Sequence, residues 1–99
     1  MLYKFEWDPT KAKRNFCDHQ VSFERATTIF RDSTMIALFD EEHSQHEDRW
    51  ITLGRDDNGI LLVVSHTFRE MTPTVWTVRM ISARKATKKE RMQYEEGHL

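Results

Sequence analysis

An abrupt change from strand to helix near the carboxyl end of the chain constrains its fold most strongly. The segment Val78–Ser82 alternates in the manner of a strand and leads through Arg84 into Thr87-Lys88-Lys89-Glu90. This Thr-x-x-Glu spacing is that of a capping box, in which the threonine hydroxyl accepts from the third helical N–H and the glutamate accepts from the cap N–H. The pattern predicts that the last strand ends before Thr87 and that a helix spans about Lys88–Glu96.

Positive charge is concentrated in the same segment. Between Arg79 and Arg91 there are six lysines and arginines against one acid, Glu90, although the whole chain has a net charge of -1. Five of the balancing acids lie within Asp40–Asp48. A basic cluster in a nearly neutral chain favours an anionic partner, of which RNA and DNA are the most common.

Length and composition are typical of one small domain. The 99 residues predict a single domain over residues 1–99, and eleven aromatic side chains argue against a disordered chain. Cys17 is the sole cysteine, which excludes an intrachain disulfide and favours a reducing compartment. The first residues lack the apolar run of a signal peptide, and the longest apolar run, Ile60–Val64, is too short to span a bilayer. We therefore expect a cytoplasmic protein that does not associate with membranes.

Two helices are predicted after a short first strand, Leu2–Glu6. Asp8 provides an N-cap and the proline that follows it favours the first helical position, which predicts a helix over Pro9–His19. The apolar face of this helix is predicted from three residues at helical spacing: Ala12, Phe16 and His19. Ser22 is the predicted N-cap of a second, shorter helix.

The remainder of the chain predicts strands joined by turns. Asp57-Asn58-Gly59 is a strong hairpin signal because Asn-Gly readily adopts positive φ, and a second turn is predicted at Met71–Pro73. The predicted strands are Thr34–Phe39, Arg49–Arg55, Ile60–Arg69 and Thr74–Ser82. The order β-α-α-β-β-β-β-α predicts an α+β domain in which helices cover one face of an antiparallel sheet.

Several motifs, in order and over almost the whole chain, resemble those of the BrnT-type toxins. They are Glu6-Trp7-Asp8-Pro9-x-Lys11-Ala12-x-x-Asn15, His19-x-Val21-Ser22-Phe23-Glu24-x-Ala26, Asp40-x-x-His43-Ser44, Arg49-Trp50-Ile51-Thr52-Leu53-Gly54, Arg79-Met80-Ile81-Ser82-Ala83-Arg84-Lys85-Ala86-Thr87 and Glu90-Arg91-x-x-Tyr94-Glu95. The resemblance implies a RelE-like fold and a toxin of a type II toxin-antitoxin system, an endoribonuclease that cleaves RNA and inhibits translation and growth. It further implies neutralisation by a BrnA-type ribbon-helix-helix antitoxin, with operator DNA bound only through the antitoxin complex.

Cleavage of RNA without a metal ion or cofactor needs a base for the ribose 2′-hydroxyl, cations for the charge on phosphorus, and an acid for the departing 5′-oxygen. Arginine suits phosphate because its planar fork donates two parallel hydrogen bonds. Arg55, Arg79 and Arg84 are therefore the predicted charge-stabilising catalytic residues, provided that neighbouring strands bring them to one face. The alternative is that each solvates a sheet edge or pairs with the acidic Asp40–Asp48 segment.

Two further catalytic candidates would supply proton chemistry. His66 alternates in phase with Leu62, Val64 and Phe68, which predicts an interior or half-buried position, and its pKa near neutrality suits an acid or base; a core histidine is the alternative. Tyr94 would stack on a base or contribute to the site, or else anchor the last helix on the sheet. The predicted RNA-binding residues would guide phosphates to the site: Lys85, Lys88, Lys89 and Arg91.

Other functions fit the same residues. Asp40, Glu42, His43 and His46 carry metal-ligating groups, although a polar loop is favoured over a metal site for so short a pattern. A domain that binds RNA without cutting it would retain the basic surface and show salt-dependent binding. A DNA-associated regulatory component would use that surface to assemble a toxin-antitoxin complex.

Overall fold

The chain turns from strand to helix at Thr87, as the capping box predicts. In the computed structural model, which describes residues 2–97, Thr87 Oγ1 accepts from Glu90 N–H at 3.2 Å and the Glu90 carboxylate accepts from Thr87 N–H at 2.8 Å. The elements in chain order are β1 (Leu2–Glu6), α1 (Pro9–His19), α2 (Phe23–Thr27), β2 (Ile36–Phe39), β3 (Arg49–Arg55), β4 (Leu61–Thr67), β5 (Arg69–Thr72), β6 (Val75–Lys85) and α3 (Lys88–Glu96), with 3-10 turns at Thr28–Arg31 and Glu41–His43. Residues 1, 98 and 99 of the predicted domain lie outside the described residues.

The strands form one sheet in the order β1-β6-β4-β3-β2, and β5 also pairs with β6. This arrangement of sheet and helices confirms the predicted α+β class and is consistent with a RelE-like fold. One pairing differs from the predicted antiparallel sheet: β1 runs parallel to β6, with Leu2 beside Val75 and Glu6 beside Arg79. Alternation within a segment predicts a strand, but it carries no information on the direction of a partner that is distant in sequence.

The predicted strand Ile60–Arg69 is divided at Phe68 into β4 and β5. Opposite Ser65 and His66 the register shifts by one, because β6 carries an extra residue, Ile81, at this point. Pairing resumes in β5, so the turn lies at residues 73–74 and β6 continues to Lys85, beyond the predicted end at Ser82.

Helices cover both faces of the sheet, whereas the sequence predicted that they would cover one. The helices α1 and α2 pack on the face that carries Leu62, Val64 and Val78. Helix α3 packs on the opposite face, where Tyr94 joins a cluster with Leu53, Leu61 and Val63. Only Tyr94 of α3 is buried, so the apolar pattern of this helix is too weak to predict its side of the sheet. Within residues 2–97 no helix is long and apolar enough to cross a membrane.

The Asn15 side chain joins α1 by hydrogen bonds to the part of β6 that does not pair with β1. Strand β1 pairs with Val75–Arg79, and beyond it the backbone of Ala83 is bound by the Asn15 amide. Asn15 Oδ1 accepts from Ala83 N–H at 3.0 Å, and Asn15 Nδ2 donates to the carbonyls of Ala83 and Val21, both at 2.9 Å. The side chain thus satisfies the edge of β6 as a neighbouring strand would.

The buried side of α1 therefore differs from the predicted apolar face. Asn15 is buried and Ala12 is half-buried, whereas Phe16 and His19 are exposed. A polar residue at the centre of the contact hides the apolar periodicity from which helix faces are predicted.

Replacing Asn15 by alanine should destabilise the protein, because three buried backbone groups lose their partners. Each unsatisfied buried group costs about 1–3 kcal/mol, and with partial relaxation we expect the free energy of unfolding to fall by about 2–4 kcal/mol. Urea denaturation measures this loss, with Lys13→Ala on the exposed side of α1 as the control. A loss below about 0.5 kcal/mol, the range of ordinary surface substitutions, would show that β6 does not need the amide.

Candidate active site

Strand alternation brings the three predicted arginines to the same face of the sheet, because one extra residue of β6, Ile81, shifts the alternation by one position between Arg79 and Arg84. Arg79 lies between Val78 and Met80, whose side chains are in the core beneath α1 and α2, so Arg79 points to the opposite side. Arg84 follows the buried Ala83 in the same way. We name this surface the arginine face, and it carries Arg49, Arg55, Arg79 and Arg84.

The arginine face has two separate ends. Arg79 and Arg84 are five positions apart on β6, or about 16 Å along the strand, and their guanidiniums are bound by different carboxylates, Glu47 and Glu90. Thr67 Oγ1 accepts from Arg79 N–H at 3.3 Å, and Thr67 pairs with Arg49 across the sheet, which places both arginines at one end. Arg55 lies at the opposite end of β3, next to α3.

The Arg79 end forms an open pocket of about 280 Å³ that holds both signs of charge. Arg79 Nη2 donates to Glu47 Oε1, and Arg49 Nη2 approaches the same oxygen at 3.5 Å. The Arg79 and Glu47 side chains are 43% and 36% exposed, so both remain accessible. The pocket is also lined by Glu6, Asp48, Thr67, Phe68, Arg69 and Thr77. A phosphodiester can therefore meet a guanidinium and a carboxylate in one place.

At the other end, Arg84 is held by Glu90. The two terminal nitrogens of Arg84 donate to the two Glu90 oxygens, both at 2.8 Å. This fork raises the pKa of Arg84, and with the capping bond it lowers the pKa of Glu90 to about 2 despite partial burial. Because Glu90 also caps α3, the pair joins the end of β6 to the start of that helix, while 41% of the Arg84 side chain remains exposed.

Tyr94 anchors α3 to the sheet and is only 6% exposed. Its hydroxyl donates to Asp32 Oδ2 at 2.6 Å and lies 2.6 Å from Thr34 Oγ1. Burial acts to raise the pKa of Asp32, but the bonds from Tyr94 and from the backbone N–H groups of Arg55 and Thr34 bring it down to about 2. The Arg55 guanidinium lies 5.2 Å from the centre of the Tyr94 ring. These contacts match the structural alternative for Tyr94.

His66 is fully buried on the face opposite to the arginines. Its interior position was predicted from its phase and is confirmed, but the sheet separates it from Arg79 and Arg84. His66 Nδ1 donates to Thr67 C=O at 3.1 Å, which leaves Nε2 to accept from Thr52 Oγ1 at 2.6 Å. Burial lowers the pKa of His66 to about 4. The geometry therefore favours a core histidine over a catalytic acid or base.

The four predicted RNA-binding residues are exposed around the start of α3. They are Lys85, Lys88, Lys89 and Arg91. They follow Arg84 along the chain, so positive charge continues from the arginine face onto the helix.

Glu47 and Arg49 are absent from the predicted site. The alternative that an arginine pairs with the acidic Asp40–Asp48 segment holds for Arg79, through Glu47. Glu47 lies in the loop before β3, where no alternation applies, so the sequence carried no signal that distinguished it from the other acids of this segment. Within the described residues no group of three ligating side chains is gathered around a metal position, and His43 Nδ1 lies 2.9 Å from Asp40 instead.

Two comparisons with known proteins agree with each other. The family model for the ribonuclease toxin BrnT of type II toxin-antitoxin systems matches residues 7–90. Among solved structures, the Brucella abortus ribonuclease toxin BrnT has a similar fold, with a TM-score of 0.59 and 18% sequence identity over 89% of this chain and 100% of that one. No curated protein matches the chain.

The stability of the protein should decrease between neutral and mildly acidic pH because of His66. Its pKa is about 4 in the folded state against 6.5 ordinarily, so the unfolded chain binds the proton more readily. Neutral His66 contributes fully to the free energy of unfolding above pH about 6.5. As the pH falls to about 4 this contribution is lost, and the free energy of unfolding decreases by about 3 kcal/mol in total. Urea denaturation across this range should show the slope in the wild type and little of it in His66→Gln. An equal slope in both proteins would contradict the assignment.

Tyr94→Phe should lower the free energy of unfolding at pH 7 by about 1–3 kcal/mol, because Asp32 and Thr34 lose a partner. The depressed pKa of Asp32 stabilises the fold above its ordinary value of 3.8, and that stabilisation is lost as the pH falls to about 2. Removing the Tyr94 bond raises the Asp32 pKa, so the gap between the two proteins should narrow at pH about 2.5. A gap that is independent of pH would show that the hydroxyl does not act through Asp32.

Proposed function

The chain belongs to the BrnT ribonuclease toxin family of type II toxin-antitoxin systems, and from this premise we propose that it is a metal-independent endoribonuclease whose active site is the pocket around Arg79. One observation supports this site above the others. The Arg79 guanidinium and the Glu47 carboxylate are in contact, and both are open to solvent. His66 and Tyr94, the proton-transfer candidates from the sequence, are buried.

Glu47 and Arg79 have the chemistry that metal-free cleavage requires. The scissile phosphate binds to the Arg79 guanidinium, and Glu47 accepts the proton of the ribose 2′-hydroxyl. The 2′-oxygen bonds to phosphorus, the bond from phosphorus to the 5′-oxygen breaks, and the 5′-oxygen takes a proton from solvent water. Glu47 then gives its proton to the hydroxide that remains, which restores the carboxylate. The products are a 2′,3′-cyclic phosphate and a 5′-hydroxyl. Arg79 stabilises the charge that develops on the phosphoryl oxygens.

The other predicted cations bind RNA away from the reacting phosphorus. Arg84 is about 16 Å from Arg79 along β6, is bound by Glu90 and does not line the Arg79 pocket. With Lys85, Lys88, Lys89 and Arg91 it forms a basic track toward α3, and these side chains contribute affinity that falls as salt rises. Arg55 lies over the Tyr94 ring and within 3.9 Å of Glu95, so it also lies beside α3.

We further propose that the cleavage of RNA accounts for the effect of this toxin on the bacterial cell. Cleavage of RNA in the cytoplasm would inhibit translation and growth, and a BrnA-type ribbon-helix-helix antitoxin would neutralise the toxin. Operator DNA would be bound only through the antitoxin complex. Family membership supports an antitoxin partner of some kind, and the open, charged pocket supports RNA as the substrate.

Arg79→Ala should reduce the rate of RNA cleavage about 10²–10³-fold, the usual effect of removing one charge-stabilising donor. Glu47→Gln should reduce it about 10²–10⁴-fold, because the amide cannot accept the proton. Single-turnover cleavage of a labelled RNA in EDTA measures both effects.

Arg31→Ala is the matched control, since this arginine also forms an exposed ion pair, with Asp57, but lies outside the pocket. It should cut at the wild-type rate, and circular dichroism should show that all variants fold. Wild-type rates in both pocket variants would contradict the site, and activity that EDTA removes would contradict the mechanism. Salt-dependent RNA binding without product would favour a non-catalytic RNA-binding component, and binding of promoter DNA by the chain alone would favour a regulatory one.

A further inference from the structure

A second pocket, lined almost entirely by aromatic rings, adjoins the Arg79 pocket. Its volume is about 440 Å³, and it is lined by Tyr3, Asp48, Trp50, Phe68 and Trp76. Asp48 and Phe68 line both pockets, so the two are continuous around the rim of the sheet. Nothing in the proposed cleavage step uses this second pocket.

The aromatic walls are held in place by one another. Phe68 packs edge-to-face against Trp50 at 5.9 Å and against Trp76 at 6.0 Å between ring centres, and Tyr3 lies 6.3 Å from Phe68. All four rings are half-buried, so each is fixed by packing and still presents surface to the pocket. Rigid aromatic side chains of this kind lose little conformational entropy when a flat ligand binds.

Two polar groups accompany the rings. Asp48 is exposed and its carboxylate can accept hydrogen bonds. The indole N–H of Trp76 is buried and has no hydrogen-bond partner among residues 2–97, so one donor is left for a ligand to satisfy. A flat ligand with both acceptors and N–H donors on its edge fits this set, and a nucleobase has that composition.

We propose that the aromatic pocket binds an unpaired nucleobase of the RNA whose phosphate lies on Arg79. The proposal rests on the proposed function and deepens it, because it assigns the substrate a single-stranded segment. The rings of the aromatic pocket lie on the face that α1 and α2 cover, and Arg79 lies on the arginine face, so the RNA strand would pass around the rim of the sheet at Asp48 and Phe68, where the two pockets meet. Stacking on aromatic side chains is the usual way in which proteins bind unpaired bases. An aliphatic side chain from a protein partner would leave both polar groups unused.

The test compares two non-cleavable oligomers of the same length and charge. One is 2′-O-methyl oligoadenylate, and the other is its abasic counterpart, which retains every phosphate. The wild type should bind the oligoadenylate at least about fivefold more tightly by fluorescence anisotropy, since stacking of one base is worth that much or more. Trp76→Leu should bind both oligomers with nearly equal affinity, and so should Trp50→Leu, which serves if the first variant does not fold. Arg79→Ala should weaken both oligomers alike.

Phe16→Ala is the control, because Phe16 is an exposed aromatic residue that lies outside this pocket. It should preserve the preference for bases. Equal binding of the two oligomers by the wild type would overturn the base pocket while leaving the cleavage site intact. Failure of the wild type to bind either oligomer would overturn the cleavage proposal and the pocket together. If both tryptophan variants still bind oligoadenylate more tightly than the abasic oligomer, the aromatic pocket does not bind the base. Loss of antitoxin binding in those variants would not change that conclusion.

Discussion

The pairing of β6 on both of its edges determines which face of the sheet carries Arg79. Strand β6 has β1 on one side and β5 and β4 on the other, and Asn15 continues the first side where β1 ends. A strand fixed on both edges must send alternate side chains to opposite faces. Val78 and Met80 therefore enter the core, and Arg79 faces the other way. A register slip of one residue would bury the arginines, so the packing of the core and the position of the site depend on the same constraint.

The cations of the arginine face are balanced by carboxylates, which explains how a chain of net charge -1 can present a basic surface. Each arginine there has a carboxylate oxygen within 4 Å: Arg49 and Arg79 share Glu47, Arg55 has Glu95, and Arg84 has Glu90. Exposed ion pairs contribute only about 0–1 kcal/mol. A phosphate can therefore displace Glu47 from Arg79 at little cost. Displacing Glu90 also disrupts the cap of α3, which costs about 0.5–2 kcal/mol more. This difference favours Arg79 over Arg84 as the phosphate-binding residue at the cleavage point.

Local signals were sufficient to predict much of the fold. The bounds of α1 and α3 were predictable because Asp8, Pro9 and the Thr87–Glu90 capping box act on neighbouring backbone groups. The parallel β1–β6 pair and the placement of α3 were not, because both depend on contacts between distant segments. The same contrast between local signals and long-range contacts applies to the residues of the site. Alternation correctly predicted that His66 is interior, but its separation from the arginines depends on the face that helices α1 and α2 cover. Glu47 could not be singled out among five neighbouring acids, because only the folded loop brings it to Arg79.

We propose that the Glu47 carboxylate and the Arg79 guanidinium promote cleavage of RNA by attack of its own 2′-hydroxyl. Mass spectrometry of the RNA ends produced by the purified wild-type protein in EDTA tests this claim most directly. We expect 2′,3′-cyclic phosphate and 5′-hydroxyl ends, and no cleavage at a position whose ribose lacks the 2′-hydroxyl. Ends that carry a 5′-phosphate, or cleavage at a deoxyribose, would contradict it.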